Sequence, residues 1–209
     1  MFPWTQRPDP RACQQYPPEE SETPWIKTIS DAKATGELAS LYRELRKEQG
    51  QVPNVHRILS LFPDALRANM ELGRTLLHNE TGELSRIDVE LIATIVSLEN
   101  CCDYCAQHHE AALLAECRRR GEESPLVSAQ SNELSLTPRQ RAMLDLATRL
   151  SQTPYAVAED DIAEARDAGF TDRGILEIIL VGSYFSFINR IVLALGVPME
   201  NPADHQEAD

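Results

Sequence analysis

The sequence predicts an all-helical protein. Three observations carry this: from Ser30 onward apolar residues recur at three- and four-residue steps, stop signals fall at Gly50, Pro63, Gly82, Gly121, Gly169 and Gly196, and no stretch alternates as a half-buried strand does. The expected helices are 36–49, 54–61, 64–79, 86–99, 102–120, 138–151, 159–168 and 172–195, joined by short turns except for the polar stretch 121–136. Thr137 before Pro138 is a start signal, a capping hydroxyl followed by a proline at the first helical position. The helix at 86–99 carries Val89, Leu91, Ile92, Ile95, Val96 and Leu98 nearly all round its circumference, which marks it as buried.

Before and after the helices the composition changes. Residues 1–29 are rich in proline and hold both tryptophans, Trp4 and Trp25, so they are expected to form an extended arm suited to packing on a neighbour; residues 30–199 form one helical domain, and 200–209 an acidic tail. An internal echo suggests a duplicated helical hairpin. Glu90 precedes Cys102 by the same spacing as Glu177 precedes Asn189, and similar apolar runs follow each glutamate. Two buried helices of like composition would look the same.

A chain of 209 residues with 42% hydrophobic content can bury a real core. With 33 acidic against 20 basic side chains the formal charge is −13, which repels phosphate backbones and anionic lipid headgroups, so no nucleic acid or membrane partner is expected. The start lacks the charged-then-apolar pattern of a secretion signal and no run approaches the ~20 apolar residues that span a bilayer; the expected location is cytoplasmic. Of five cysteines, Cys101, Cys102 and Cys105 crowd together while Cys13 and Cys117 stand apart, which argues for local chemistry rather than a disulfide framework.

The candidate site lies between Glu90 and His109. Asn100 and Cys101 break the chain between two helices, placing Cys102 and Cys105 in the first turn of the second, where free backbone N–H groups and the positive dipole end favour a thiolate. Residues three apart on a helix are about 5 Å apart between α-carbons, inside the disulfide range of roughly 4.4–6.8 Å. Cys117 lies about 18 Å farther along and is read as a core cysteine. At 100° per residue, His109 falls within about 40° of Cys105 and 20° of Cys102, whereas His108 is about 60° and 120° away, so His109 is the better base. In an antiparallel hairpin Glu90 and His109 can meet across the interface, and a buried carboxylate needs such a partner; taken alone, Glu90 also fits a solvated first-turn glutamate. A CxxC occurs in redox proteins and in zinc sites alike, although a usual structural zinc site needs a second ligand pair, here only Cys101 or His108 or another subunit.

Glu90, eleven intervening residues, Cys102-Asp-Tyr-Cys105, three more and His109 together resemble the alkylhydroperoxidase D-like motif of the carboxymuconolactone decarboxylase superfamily, and Ala-Gly-Phe170, Asn189-Arg190 and Leu-Gly-Val-Pro198 resemble its peroxidase-related branch. The resemblance spans roughly residues 35–200. It implies an all-α bundle assembled as trimers or hexamers, a hydroperoxide substrate, an external dithiol reductant and no cofactor or metal. It further implies that Cys105 is the peroxidatic cysteine, that Cys102 resolves, and that Glu90 and His109 relay the proton. Two departures stand out: Tyr104 occupies a position that is histidine in the founding enzymes, and Cys101 lies outside the pattern. Two rival functions remain open: a carboxymuconolactone decarboxylase-type reaction, against which the CxxC argues, and a non-enzymatic redox sensor or zinc-stabilised oligomer.

Overall fold

The computed structural model describes residues 23–78, 81–127 and 133–200. Among the described residues eight α-helices carry the fold: α1 Gly36–Gln49, α2 Asn54–Arg57, α3 Pro63–Leu77, α4 Arg86–Glu99, α5 Asp103–Arg120, α6 Pro138–Gln152, α7 Glu159–Asp167 and α8 Asp172–Ala194. The all-helical expectation holds, with two additions. Strands β1 Leu126–Val127 and β2 Glu133–Leu134 form a two-residue antiparallel ladder inside the stretch expected to be irregular, and single 3-10 turns occur at Asp31–Lys33 and Pro154–Ala156. Most of the N-terminal arm, Trp4 included, and all of the acidic tail beyond Glu200 lie outside the described residues.

The chain clusters into two compact units. In the unit of residues 23–74 and 191–200, α1 places Leu38, Leu41, Tyr42 and Leu45 on one face at three- and four-residue intervals, and these pack with Val52, Leu66 and Met70. Asp31 takes ion pairs from Arg46 and, at 2.6 Å, from Arg57. Helix α2 is shorter than the expected 54–61, because Pro63 biases Phe62 away from helical geometry and the chain runs through turns to the proline. The described end of the arm packs within this unit. Trp25 N–H donates to Leu195 O at 2.9 Å, and its indole covers Gly196 so closely that a Cβ there would sit 2.5 Å from the ring.

In the unit of residues 75–190, α4 is the central element. Every residue from Ile87 to Ser97 except Asp88 is buried, and α4 packs against α5 and α6. Its start is fixed by a capping box in which Ser85 accepts from Asp88 N–H and Asp88 reaches back to Ser85 N–H. Thr137 and Gln140 form the same device at α6, with Pro138 in the first turn as expected. The echo between the two halves extends to an ion pair: Arg86 contacts Glu90 and Arg173 contacts Glu177, each at i,i+4. The copies then diverge. The first breaks after Glu99, whereas α8 runs unbroken through Asn189.

Helix α8 corrects one expectation. Its 23 residues, with a mean hydropathy of 1.6 over the most apolar stretch, are long and apolar enough to cross a membrane by length and composition, although 56% of that stretch is buried inside the protein. Gly182, Ser183, Ser186 and Asn189 interrupt the apolar run in the sequence without bringing the average down.

Candidate active site

The site is built on the break between α4 and α5. Helix α4 ends with Cys101 in the left-handed region at φ 57°; Cys101 N–H donates to Leu98 O at 3.0 Å and Cys102 N–H to Ser97 O at 2.9 Å, the paired bonds of a Schellman stop. Glycine normally takes that left-handed position, as Gly196 does after α8, where Val197 N–H reaches Val192 O at 3.0 Å. The stop is held from the side by a buried polar bond, Ser97 Oγ to Asn189 Oδ1 at 3.1 Å.

This turn delivers Cys102 to the N-cap of α5 rather than into its first turn, so only Cys105 lies inside the helix. Both are buried free thiols. The neighbouring Cys105 thiol is the larger influence on Cys102 and, with the Cys105 backbone N–H, outweighs burial and holds Cys102 below the ordinary thiol range. Cys105 is pushed up by its Cys102 neighbour, with burial adding to it, because a second thiolate beside the first is strongly disfavoured. Helix-face arithmetic treated both sulfurs as residents of one turn, whereas the structure places Cys102 at the N-cap and Cys105 inside the helix.

Glu90 and His109 meet as their helical positions predicted. His109 Nδ1 lies 2.7 Å from Glu90 Oε2, with Glu90 only 1% exposed. An ionised carboxylate only accepts, so Nδ1 carries the hydrogen and Nε2 is left as the acceptor. The imidazole stands edge-on to Phe185, ring centroids 4.4 Å apart, which fixes its plane. His108 bonds within its own helix, Nδ1 to Tyr104 O at 2.7 Å, and stacks on the Tyr104 ring; it enters the thiol site only as a small favourable charge influence on Cys102. Cys117 is buried on α5, as expected of a core cysteine.

One participant escaped the sequence reading. Arg86 Nη2 lies 2.5 Å from Glu90 Oε1, so the carboxylate is clamped between a guanidinium and an imidazole. The signal was present as an arginine four residues before each glutamate of the echo. Among the described residues, no three histidine, cysteine, aspartate or glutamate side chains converge as a metal site, which leaves the zinc-stabilised reading without a ligand set there.

Fold and site together define an all-α protein with a buried dithiol at a helix start, near a carboxylate–imidazole pair. Residues 63–149, from α3 through most of α6, match the model of the carboxymuconolactone decarboxylase family. The fold is similar to that of an uncharacterised peroxidase-related protein with an alkylhydroperoxidase AhpD core from Ralstonia eutropha JMP134, at 27% identity over 88% of this chain and 96% of that one, TM-score 0.75. A second uncharacterised peroxidase-related protein, from Silicibacter sp. TM1040, is also 27% identical over 91% and 95% of the two chains, TM-score 0.65. The debrominase Bmp8, crystallised with 2,3,4-tribromopyrrole, shares the fold at 18% identity over 90% of this chain and all of its own, TM-score 0.69. A comparison with curated proteins found no match. The chain is thus similar to the alkylhydroperoxidase D-like group of the carboxymuconolactone decarboxylase superfamily in fold and over residues 63–149 in sequence.

Proposed function

We propose that the protein is a thiol-dependent peroxidase that reduces a hydroperoxide through a Cys102/Cys105 dithiol–disulfide cycle, with Glu90 and His109 relaying the proton. The observation that carries this reading is the pair of buried free thiols three residues apart at the start of α5. A pair sharing one proton can place the negative charge on either sulfur. Cys105, the peroxidatic residue by family resemblance, becomes the thiolate when its proton passes to Cys102. It then attacks the peroxide oxygen; the O–O bond breaks, the sulfur becomes a sulfenic acid, and the leaving alkoxide takes a proton through His109. The Cys102 thiol condenses with the sulfenic acid, a disulfide forms and water leaves. An external dithiol returns both sulfurs to the reduced state. No step calls on a metal or organic cofactor.

We extend the proposal to a cytoplasmic homo-oligomer of three or six chains. Helix α8 supports it, because it leaves Leu176, Leu180 and Phe187 between 42% and 54% exposed in the single chain. Light scattering that returns the 23.4 kDa monomer at micromolar concentration would reject this part.

Peroxide consumption measured with several dithiol donors tests the activity. In Cys102→Ser protein one equivalent of peroxide should be consumed and dimedone should trap a sulfenic acid on Cys105. An adduct on Cys102 in Cys105→Ser protein would reverse the two roles. A disulfide that forms under oxidant, without turnover by any donor, would make the protein a redox sensor instead.

A further inference from the structure

Glu90 is buried with its two oxygens facing different groups. Oε2 takes the His109 Nδ1 hydrogen, and Oε1 has no hydrogen-bond donor among the described residues; what faces it is the charge of the Arg86 guanidinium, its ion-pair partner at 2.5 Å. Arg86 is itself held in place: Nη1 donates to Leu77 O and lies 3.4 Å from His78 Nδ1. Its side chain also lines an open cleft of about 690 Å³, shared with His78, Glu83, Glu116 and Glu177. One face of the guanidinium thus looks into solvent while the other is set against the buried carboxylate.

We propose that Arg86 is a positioning residue for the thiol site, acting through Glu90 to fix the tautomer of His109. This inference rests on the proposed relay. A carboxylate taken out of water is stable only when paired, and a single imidazole N–H leaves half of its hydrogen-bonding capacity unanswered. The arginine answers the other oxygen. With Oε1 tied to Arg86, Oε2 stays aimed at α5, so Nδ1 keeps the hydrogen and Nε2 stays free to accept one. Without the arginine the carboxylate can rotate or take up a proton, and the imidazole then loses the fixed acceptor that orients it. The second copy supplies an internal contrast. Arg173 pairs with Glu177 in the same i,i+4 arrangement, but Glu177 turns its other oxygen to the backbone N–H groups of Glu83 and Leu84, so that pair has a purely structural task.

The test uses the full-length protein and the rate at which iodoacetamide, an uncharged reagent, alkylates the CxxC at neutral pH. Arg86→Gln should slow alkylation about tenfold, and Arg86→Lys should recover most of the rate because it returns the charge. Because the cleft is open, methylguanidine at millimolar concentration should accelerate the Arg86→Ala protein, with urea at the same concentration as the inert control. Arg173→Gln should leave the rate unchanged. In a Glu90→Gln background Arg86→Gln should add no further loss, since the residue through which it acts is already gone. Equal slowing in both backgrounds, or no slowing by Arg86→Gln at all, would overturn the proposal. Should Arg86→Gln fail to fold, Arg86→Ala compared in the two backgrounds makes the same decision. Alkylation requires no peroxide, so wild-type protein that consumes none would remove the peroxidase reading and leave the role of Arg86 to be decided by these rates.

Discussion

His109 Nδ1 and Glu90 Oε2 lie 2.7 Å apart although nineteen positions separate them in the chain, and they are joined across the α4–α5 interface by the helical break between them. The pair makes one histidine of the adjacent two chemically distinct. Glu90→Gln keeps the shape and removes the charge, and it should slow peroxide turnover and neutral-pH alkylation by about ten- to a hundredfold. His108→Ala should have a much smaller effect, limited to a slight rise in the Cys102 pKa, because the His108 charge is only a minor influence on that thiol. Equal losses in the two variants would mean that the wrong histidine serves the site.

The two thiols should titrate as a pair. Thiolate absorbance near 240 nm in the reduced protein should show one step below the ordinary thiol range and no second step in the accessible range. Cys105→Ala removes the main influence on the Cys102 sulfur and should move that step to higher pH. Cys102→Ala removes the main cause of the high Cys105 value and should bring Cys105 down. A Cys102→Ala protein in which Cys105 still fails to titrate would place the cause in burial alone.

Gly196 should resist substitution for two separable reasons. Its φ of 57° costs any other residue about 1 kcal/mol, and the Trp25 indole occupies the space a Cβ would need. Gly196→Ala should lower unfolding stability by about 2–3 kcal/mol in urea titrations. In a Trp25→Ala background the same substitution should cost only about 1 kcal/mol, because the steric part has been removed. An unchanged penalty would show that the indole moves aside freely.

His56 sets a pH dependence for the unit of α1 and α2. Burial, with Arg74 adding to it, lowers its imidazole to about 4, and its Nδ1 has no hydrogen-bond partner among the described residues; Glu48 and Glu200 oppose the shift weakly. The unfolded chain takes up this proton near 6.5 and the folded chain near 4, so the unfolded state binds more protons between them. Stability should therefore fall as the pH drops from about 6.5 to 4, by about 3 kcal/mol from this group. His56→Asn should flatten the curve in that window, and a slope equal to wild type would assign the effect elsewhere.

The helices were legible in the sequence because each carries an apolar face or is apolar all round, and punctuation by glycine and proline located most ends to within two residues. The meeting of Glu90 and His109 was legible for the same reason, since a hairpin of two regular helices can be extrapolated by rise and angle. What regularity could not supply was the conformation of the break expected at Asn100 and Cys101. Nothing in the composition says that Cys101 takes the left-handed conformation in place of a glycine, and that one dihedral makes Cys102 a cap residue. Arg86 was missed because an exposed-looking first-turn arginine resembles any surface charge until the partner four residues on proves to be buried. The early end of α2 was hidden because Ile58, Leu59, Leu61 and Phe62 continue the apolar spacing through turns.

The unbroken course of α8 bears on any attempt to graft the chemistry into the other half of the molecule. A cysteine at position 189 would occupy the place equivalent to Cys102, and a second one three residues on would lie within cross-linking distance. Yet every backbone amide along that stretch is already committed to the carbonyl of the preceding turn, so neither sulfur would stand at a helix start as Cys102 does at the head of α5. Such a transplant would create a bridge that closes and opens but not an acidic thiol. An engineer seeking reactivity there would have to interrupt the helix first and add the sulfur second.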